Sequence, residues 1–194
     1  MSMQMKKSAT IIETHLKSFF PKHELTLEQW KKGPVETLKI LSRLRVAKLK
    51  PPAKMEPNCA YCTIGTWELG DEKSSGFEFM MLTPFETPRA TELLTMSANY
   101  HRAHHLGFGH RFPIGEGWLE GSKCDHFLVS LPYTVGSDFE ICQVSDDHHI
   151  HIAWLLPITK AENDFARSNG VEALEQKFES IGLEYWNPQR KSVI

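Results

Sequence analysis

An α+β fold in a single domain is what this sequence predicts, on three observations. The strand-like runs fall in groups between residues 43 and 158, without the regular β-α alternation of a parallel α/β protein. The chain then ends in a helical stretch that carries its own capping signals. With 194 residues and 41% hydrophobic content, one core can form without help from disulfides or a metal.

Each element has a local justification. Ile11, Ile12, His15, Leu16, Phe19 and Phe20 recur at helical spacing, so a first helix is expected over residues 8–20, closed by Pro21. The run RLRVAKLKPP alternates along its length and suits a strand ended by Pro51-Pro52. CAYCTIGTWEL and GFEFMMLTP read as two further strands. The polar stretch DEKSSG between them makes an antiparallel hairpin. Thr87-Pro88 pairs a capping residue with proline at the first helical position. The helix it opens has Ala90, Leu93, Leu94, Ser97 and Tyr100 along one face. DHFLVSLPY, FEICQV and HHIHIAWLLPI are three more strand-like runs, with turns at Gly136 and Asp146-Asp147. In the terminal stretch Thr159 and Glu162 form a capping box. Gly170 and Gly182 suit helix C-termini, and Val171, Leu174, Phe178 and Ile181 form an apolar stripe.

Charge is unevenly distributed along the chain. Residues 1–58 hold 12 Lys+Arg against 5 Asp+Glu, whereas residues 59–194 hold 10 against 19. The two stretches can neutralise one another as solvated faces, or the acidic body can offer a surface to a basic partner. The net charge of −2 gives no reason to expect nucleic-acid binding. Glu13 and His15 interrupt the apolar run of MKKSATIIETHL, so no signal peptide is expected, and IAWLLPI is too short to span a bilayer. Four cysteines, Cys59, Cys62, Cys124 and Cys142, suggest no disulfide framework. A cytoplasmic protein with reduced thiols is the expectation.

Eight of the ten histidines lie between His101 and His151. His101, His104 and His105 share a helix end, and His149 and His151 share a strand face, so together they could supply zinc ligands. The helix pattern lacks the glutamate that metalloproteases use as general base. The same histidines also suit a polar helix end beside a half-exposed strand. In GFGHRFPIGEGWLEG the glycines read as turn residues, since Gly107 and Gly109 lack the third glycine and the preceding strand of a dinucleotide fingerprint. Cys59 and Cys62 stand three apart in a strand, a spacing that points them to opposite faces and suits buried thiols. Ser130 and Ser137 have no nucleophile-elbow context. No catalytic residue, cofactor or metal site is assigned.

Several separated blocks in one order carry a resemblance. They contain Gly107, Gly109-His110, Ile114-Gly115, Leu131-Pro132-Tyr133, Leu155-Leu156-Pro157-Ile158, Glu162 and Arg190-Lys191-Ser192-Val193. In these the chain resembles the suppressor-of-fused domain family, in particular its bacterial members. Residues 41–194 match best, and the N-terminal helical segment 1–40 is less distinctive. The resemblance implies one domain with a mixed, mostly antiparallel sheet flanked by helices, binding protein partners without chemistry of its own. The related animal protein restrains zinc-finger transcription factors, while bacterial relatives look like immunity proteins or antitoxins paired with nuclease-type toxins. On that basis the expected partner is a protein, with no nucleic acid or membrane. The expected contact surface comprises Glu116, Trp118 and Glu120 of the glycine-rich loop and Asp146 and Asp147 of the later turn, an aromatic anchor with steering charges, although Trp118 suits a core residue under the loop at least as well. The alternatives are a regulator that binds a transcription factor or other peptide, and a metal-dependent enzyme built on the histidines.

Overall fold

The computed structural model describes residues 3–52, 59–69 and 76–194. Among them the first element is α1 (Met3–Phe19), which buries Ile12 and Leu16. Then come β1 (Glu24–Glu28), α2 (Val35–Ile40), β2 (Arg45–Lys50), β3 (Cys59–Ile64), β4 (Phe77–Thr83) and α3 (Pro88–His104). The chain continues through β5 (Arg111–Pro113), β6 (Cys124–Ser130), a 3-10 turn (Ser137–Phe139), β7 (Ile141–Ser145) and β8 (His148–Thr159), and ends with α4 (Lys160–Asn169) and α5 (Val171–Ile181). The strands hydrogen-bond in the order β1-β2-β3-β4-β8-β6-β5, and β7 pairs with β8. Pairing of β4 with β8 is parallel, from Phe77↔His151 to Met80↔Trp154, whereas β1–β2, β2–β3, β3–β4, β5–β6 and β7–β8 are antiparallel. The fold is therefore α+β, with a mixed and mostly antiparallel sheet.

Residues 1–106 and 131–154 form one compact unit, and residues 107–130 and 155–194 a second. In the first unit, every residue of β3 and β4 is buried, because helices cover both faces of these strands. Phe77 and Phe79 face α3, whose His101 packs edge-on against both rings. Tyr61 accepts the Thr87 N–H at the helix start through its hydroxyl, and the Thr87 side chain caps Arg89 N. The opposite face carries Ala47, Leu49, Cys62 and Ile64, towards Ile12 of α1.

In the second unit, β5 pairs with β6 through Phe112↔Phe127, and α4 lies against β6. The capping box at Thr159 and Glu162 is formed, and Gly170 and Gly182 cap the two helices. Leu174 and Phe178 are buried as the stripe predicts, but Ile181 at its end is exposed.

Three short elements differ from the sequence expectation. β1 and α2 fall where none was assigned, and β5 forms inside the glycine-rich loop. The expected strand CAYCTIGTWEL stops at Ile64, because Gly65 takes φ +104 and turns the chain. Residues 71–75 of the expected hairpin turn lie outside the described residues.

Candidate functional site

The histidine-rich helix end does not assemble a site. His101 is fully buried between Phe77 and Phe79, with ring centroids 5.9 and 5.3 Å away. His104, one turn on, is exposed and stacks on Tyr100 at 4.1 Å, and His105 caps the helix in the left-handed conformation with φ 49. On β8 the His149 and His151 rings meet at 5.2 Å, and His151 Nδ1 lies 2.8 Å from Glu140 Oε1. Among the described residues no group of three or more His, Cys, Asp and Glu side chains is placed to hold a metal. The metal reading thus loses its geometric basis: His101 faces an aromatic core while its neighbours face solvent.

In the glycine-rich loop of the second unit, Trp118 N donates to Cys124 O, and the indole is only 1% exposed. This corrects the expectation of a Trp118 anchor on the surface, since the ring is part of the core beneath the loop. Gly117 allows the tight return: a Cβ there would stand 2.4 Å from Ser122 O. Glu116 and Glu120, on either side, are exposed. Asp146 and Asp147 are likewise exposed, in the β7–β8 turn of the first unit. The uneven charge seen along the chain does not separate the units. The first holds 15 Lys+Arg and 15 Asp+Glu, so the basic lead-in is neutralised within it, and the second holds 7 against 9. Within the first unit, residues 131–154 carry four acids and neither lysine nor arginine, so Asp146 and Asp147 stand in a locally acidic stretch.

Among the described residues three charged side chains are buried, Glu78, Glu162 and Arg190, and the sequence pattern marks only Glu162, as a helix cap. Glu78 of β4 is 0% exposed. Its Oε2 accepts the Thr63 hydroxyl at 2.5 Å, and its Oε1 accepts Gly65 N at 2.7 Å and Thr66 N at 3.0 Å. Burial pushes its carboxyl up to about 7, against the pull of those three donors. In the second unit, Arg190 donates bidentately to Glu162 at 2.7 Å on both arms, and also to Pro157 O at 2.9 Å. Glu162 further accepts Thr159 N and Val193 N, so one carboxylate ties the helix start to the C-terminal tail. Both residues sit in the blocks that carried the family resemblance.

The four cysteines are free and buried. Burial raises the thiols of Cys59, Cys62 and Cys124, and holds Cys142 at about 11, the opposite of an activated nucleophile. Ser130 donates to Glu175 Oε1 at 2.6 Å. Among the described residues, no helix is long and apolar enough to cross a membrane.

The comparisons with known proteins agree with this architecture. The family model for suppressor of fused protein (SUFU) matches residues 34–191. No curated protein matches the chain. Among solved structures, one described as a SUFU (suppressor of fused protein) homologue from Neisseria gonorrhoeae is similar with a TM-score of 0.84 and 29% identity, over 97% of this chain and 98% of that one. The structure of the Sufu–Fu complex is similar at TM-score 0.70 and 16% identity, over 96% of this chain and 91% of that one. Drosophila Suppressor of Fused follows at 0.65 and 12%, over 94% of this chain and 50% of that one. The last two likenesses concern the fold.

Proposed function

Because the chain belongs to the suppressor of fused protein family, we propose that it is a one-domain, non-catalytic protein-binding protein. More narrowly, we read it as a cytoplasmic immunity protein or antitoxin that covers and neutralises a nuclease-type toxin. The observation that carries the reading is the shared fold with Sufu, which in the Sufu–Fu complex holds another protein. The buried thiols and the dispersed histidines support a binding role over a chemical one.

The contact surface is read separately on each unit. In the second it includes Glu116 and Glu120, and in the first Asp146 and Asp147; all four are exposed carboxylates able to steer a phosphate-binding, basic partner. Pull-down from the native host with mass spectrometry tests the reading. A stoichiometric basic toxin whose activity is lost in the complex supports it, and recovery of a transcriptional regulator without a toxin replaces it. The double variants Glu116→Lys/Glu120→Lys and Asp146→Lys/Asp147→Lys then assign the surface. Unchanged affinity in both removes it while leaving the protein-binding role in place.

A further inference from the structure

The first unit contains a cavity of about 550 Å³ that none of the preceding assignments uses. Its walls are Ile12 of α1, Leu27 of β1, Arg43 and Arg45 before and in β2, Ile64 at the end of β3 and Trp67 in the turn that follows. Three features of this place point to a ligand.

Leu27 is 48% exposed although it lies on the cavity side of the sheet, opposite the fully buried Ala47. It belongs to β1, which ends the strand order, so among the described residues one edge of β1 has no strand partner. An open edge beside a side-chain cavity is the arrangement by which proteins take up an extended peptide: the main chain adds as a strand, and alternate side chains enter pockets. In addition, the Trp67 Nε1 is buried and has no hydrogen-bond partner among the described residues. A buried donor left unpaired is destabilising, and an acceptor brought in by a ligand relieves that cost.

The charges select the peptide. The cavity wall is balanced, since Glu13 and Glu68 line it together with the two arginines. Arg45 is held by the carbonyls of Ser42 and Leu44, which orient its guanidinium without neutralising it. A neutral apolar side chain therefore fits inside. Along β1 the balance stays positive, with exposed Lys22 before the strand and Lys31 and Lys32 after it against one exposed carboxylate, Glu24, on the strand itself. The nearby Lys39, Lys48 and Lys50 are instead paired with Glu36, Glu28 and Glu86.

We propose that the open edge of β1 and this cavity bind an extended acidic segment of a protein partner, one apolar side chain of which enters beside Leu27 and Trp67. The inference rests on the protein-binding reading and adds to it a second surface, opposite in charge preference to the carboxylates above.

The test uses the full chain and two fluorescein-labelled heptapeptides, each with a central phenylalanine, one flanked by glutamates and its twin by lysines. Fluorescence anisotropy should show the glutamate peptide binding at least about tenfold tighter, a difference of about 1.4 kcal/mol. Hydrogen exchange should slow at the β1 amides in that complex. Leu27→Lys, at a half-exposed position and with folding checked by circular dichroism, should abolish binding, and Trp67→Phe should weaken it while keeping the ring. Equal binding of the twins, or full binding by Leu27→Lys, overturns the proposal. So does a homodimer of the wild type that Leu27→Lys dissolves, which would make the occupant a second copy. A toxin that still binds the Leu27→Lys chain leaves the protein-binding reading standing while peptides that ignore Leu27 remove this one. Peptide binding as expected, with no protein recovered from the host, does the reverse.

Discussion

Replacing Glu78 with glutamine should remove a pH dependence from the stability of this protein. The carboxyl is fully buried on β4 and titrates at about 7 when folded, against an ordinary value of 4.5. The folded state thus holds the proton more tightly than the unfolded chain does. Below pH 4.5 both states are protonated and Glu78 costs nothing. Between 4.5 and 7 the unfolded chain ionises first, so stability falls as pH rises, and above 7 the folded protein carries a buried carboxylate at full cost. A shift of this size corresponds to about 3 kcal/mol. Glutamine keeps the shape and an oxygen for Gly65 N and Thr66 N, and its amide can donate to the Thr63 oxygen, which now donates to Glu78. The other titrating groups are common to both proteins, including the Cys62 and Cys142 thiols near this carboxyl.

Urea unfolding of wild type and Glu78→Gln at pH 5, 6, 7 and 8, followed by tryptophan fluorescence, measures the effect. The difference in unfolding free energy between the two proteins should move by about 2.5 kcal/mol in favour of the variant from pH 5 to pH 8, which is about 5–10 °C in melting temperature for a chain of this size, the remainder of the shift lying below pH 5. Parallel curves, with a difference independent of pH, would refute the reasoning, because they would mean that Glu78 titrates alike in both states.

Three further outcomes follow from the packing. Arg190→Ala strands the buried Glu162 and frees the tail it fastens, so it should cost about 3–5 kcal/mol and hasten tryptic cleavage at Lys191, which limited proteolysis reads directly. Gly117→Ala forces a Cβ against Ser122 O, a backbone atom that cannot swing aside, and should lower stability by about 1–3 kcal/mol in thermal unfolding. All four thiols should resist Ellman's reagent in the folded protein and react together in urea; rapid labelling of any one in the native state would contradict its burial.

What could be read from the sequence was local. Thr87-Pro88 and the Thr159–Glu162 capping box start helices through bonds to residues two or three positions away, so their pattern suffices. The strand β3 was visible from its composition, but its end was not. Thr66 and Trp67 favour a strand, and the turn that Gly65 makes is held by a carboxylate twelve and more residues downstream that gathers the Gly65 and Thr66 N–H groups. β1 is fastened by contacts distant in sequence: Glu28 is held by Lys48 across the sheet and by the Thr91 hydroxyl of α3. Trp118 was misplaced because its neighbours in sequence are glycines and acids, but its neighbours in space are core.

The charge pattern failed as a guide to the surface because sequence halves are not spatial halves. The boundary near residue 58 cuts through the first unit, whose 15 cations and 15 anions cancel. Several of those cations are spent in pairs such as Lys48 with Glu28 and Glu86. A net charge drawn along the chain therefore says little about the field a partner meets. What a partner meets is set by the few charges left unpaired beside an apolar opening, and around β1 these are three lysines against Glu24, a positive balance even though the chain as a whole is acidic. The pair Glu162 and Arg190 shows the same principle from inside. They stand twenty-eight positions apart, and nothing in the sequence pairs them, yet both are buried because each is the other's counter-ion and the tail's fastening. Glu162 and the Arg190–Val193 stretch, far apart in sequence, are thereby joined into one structural unit.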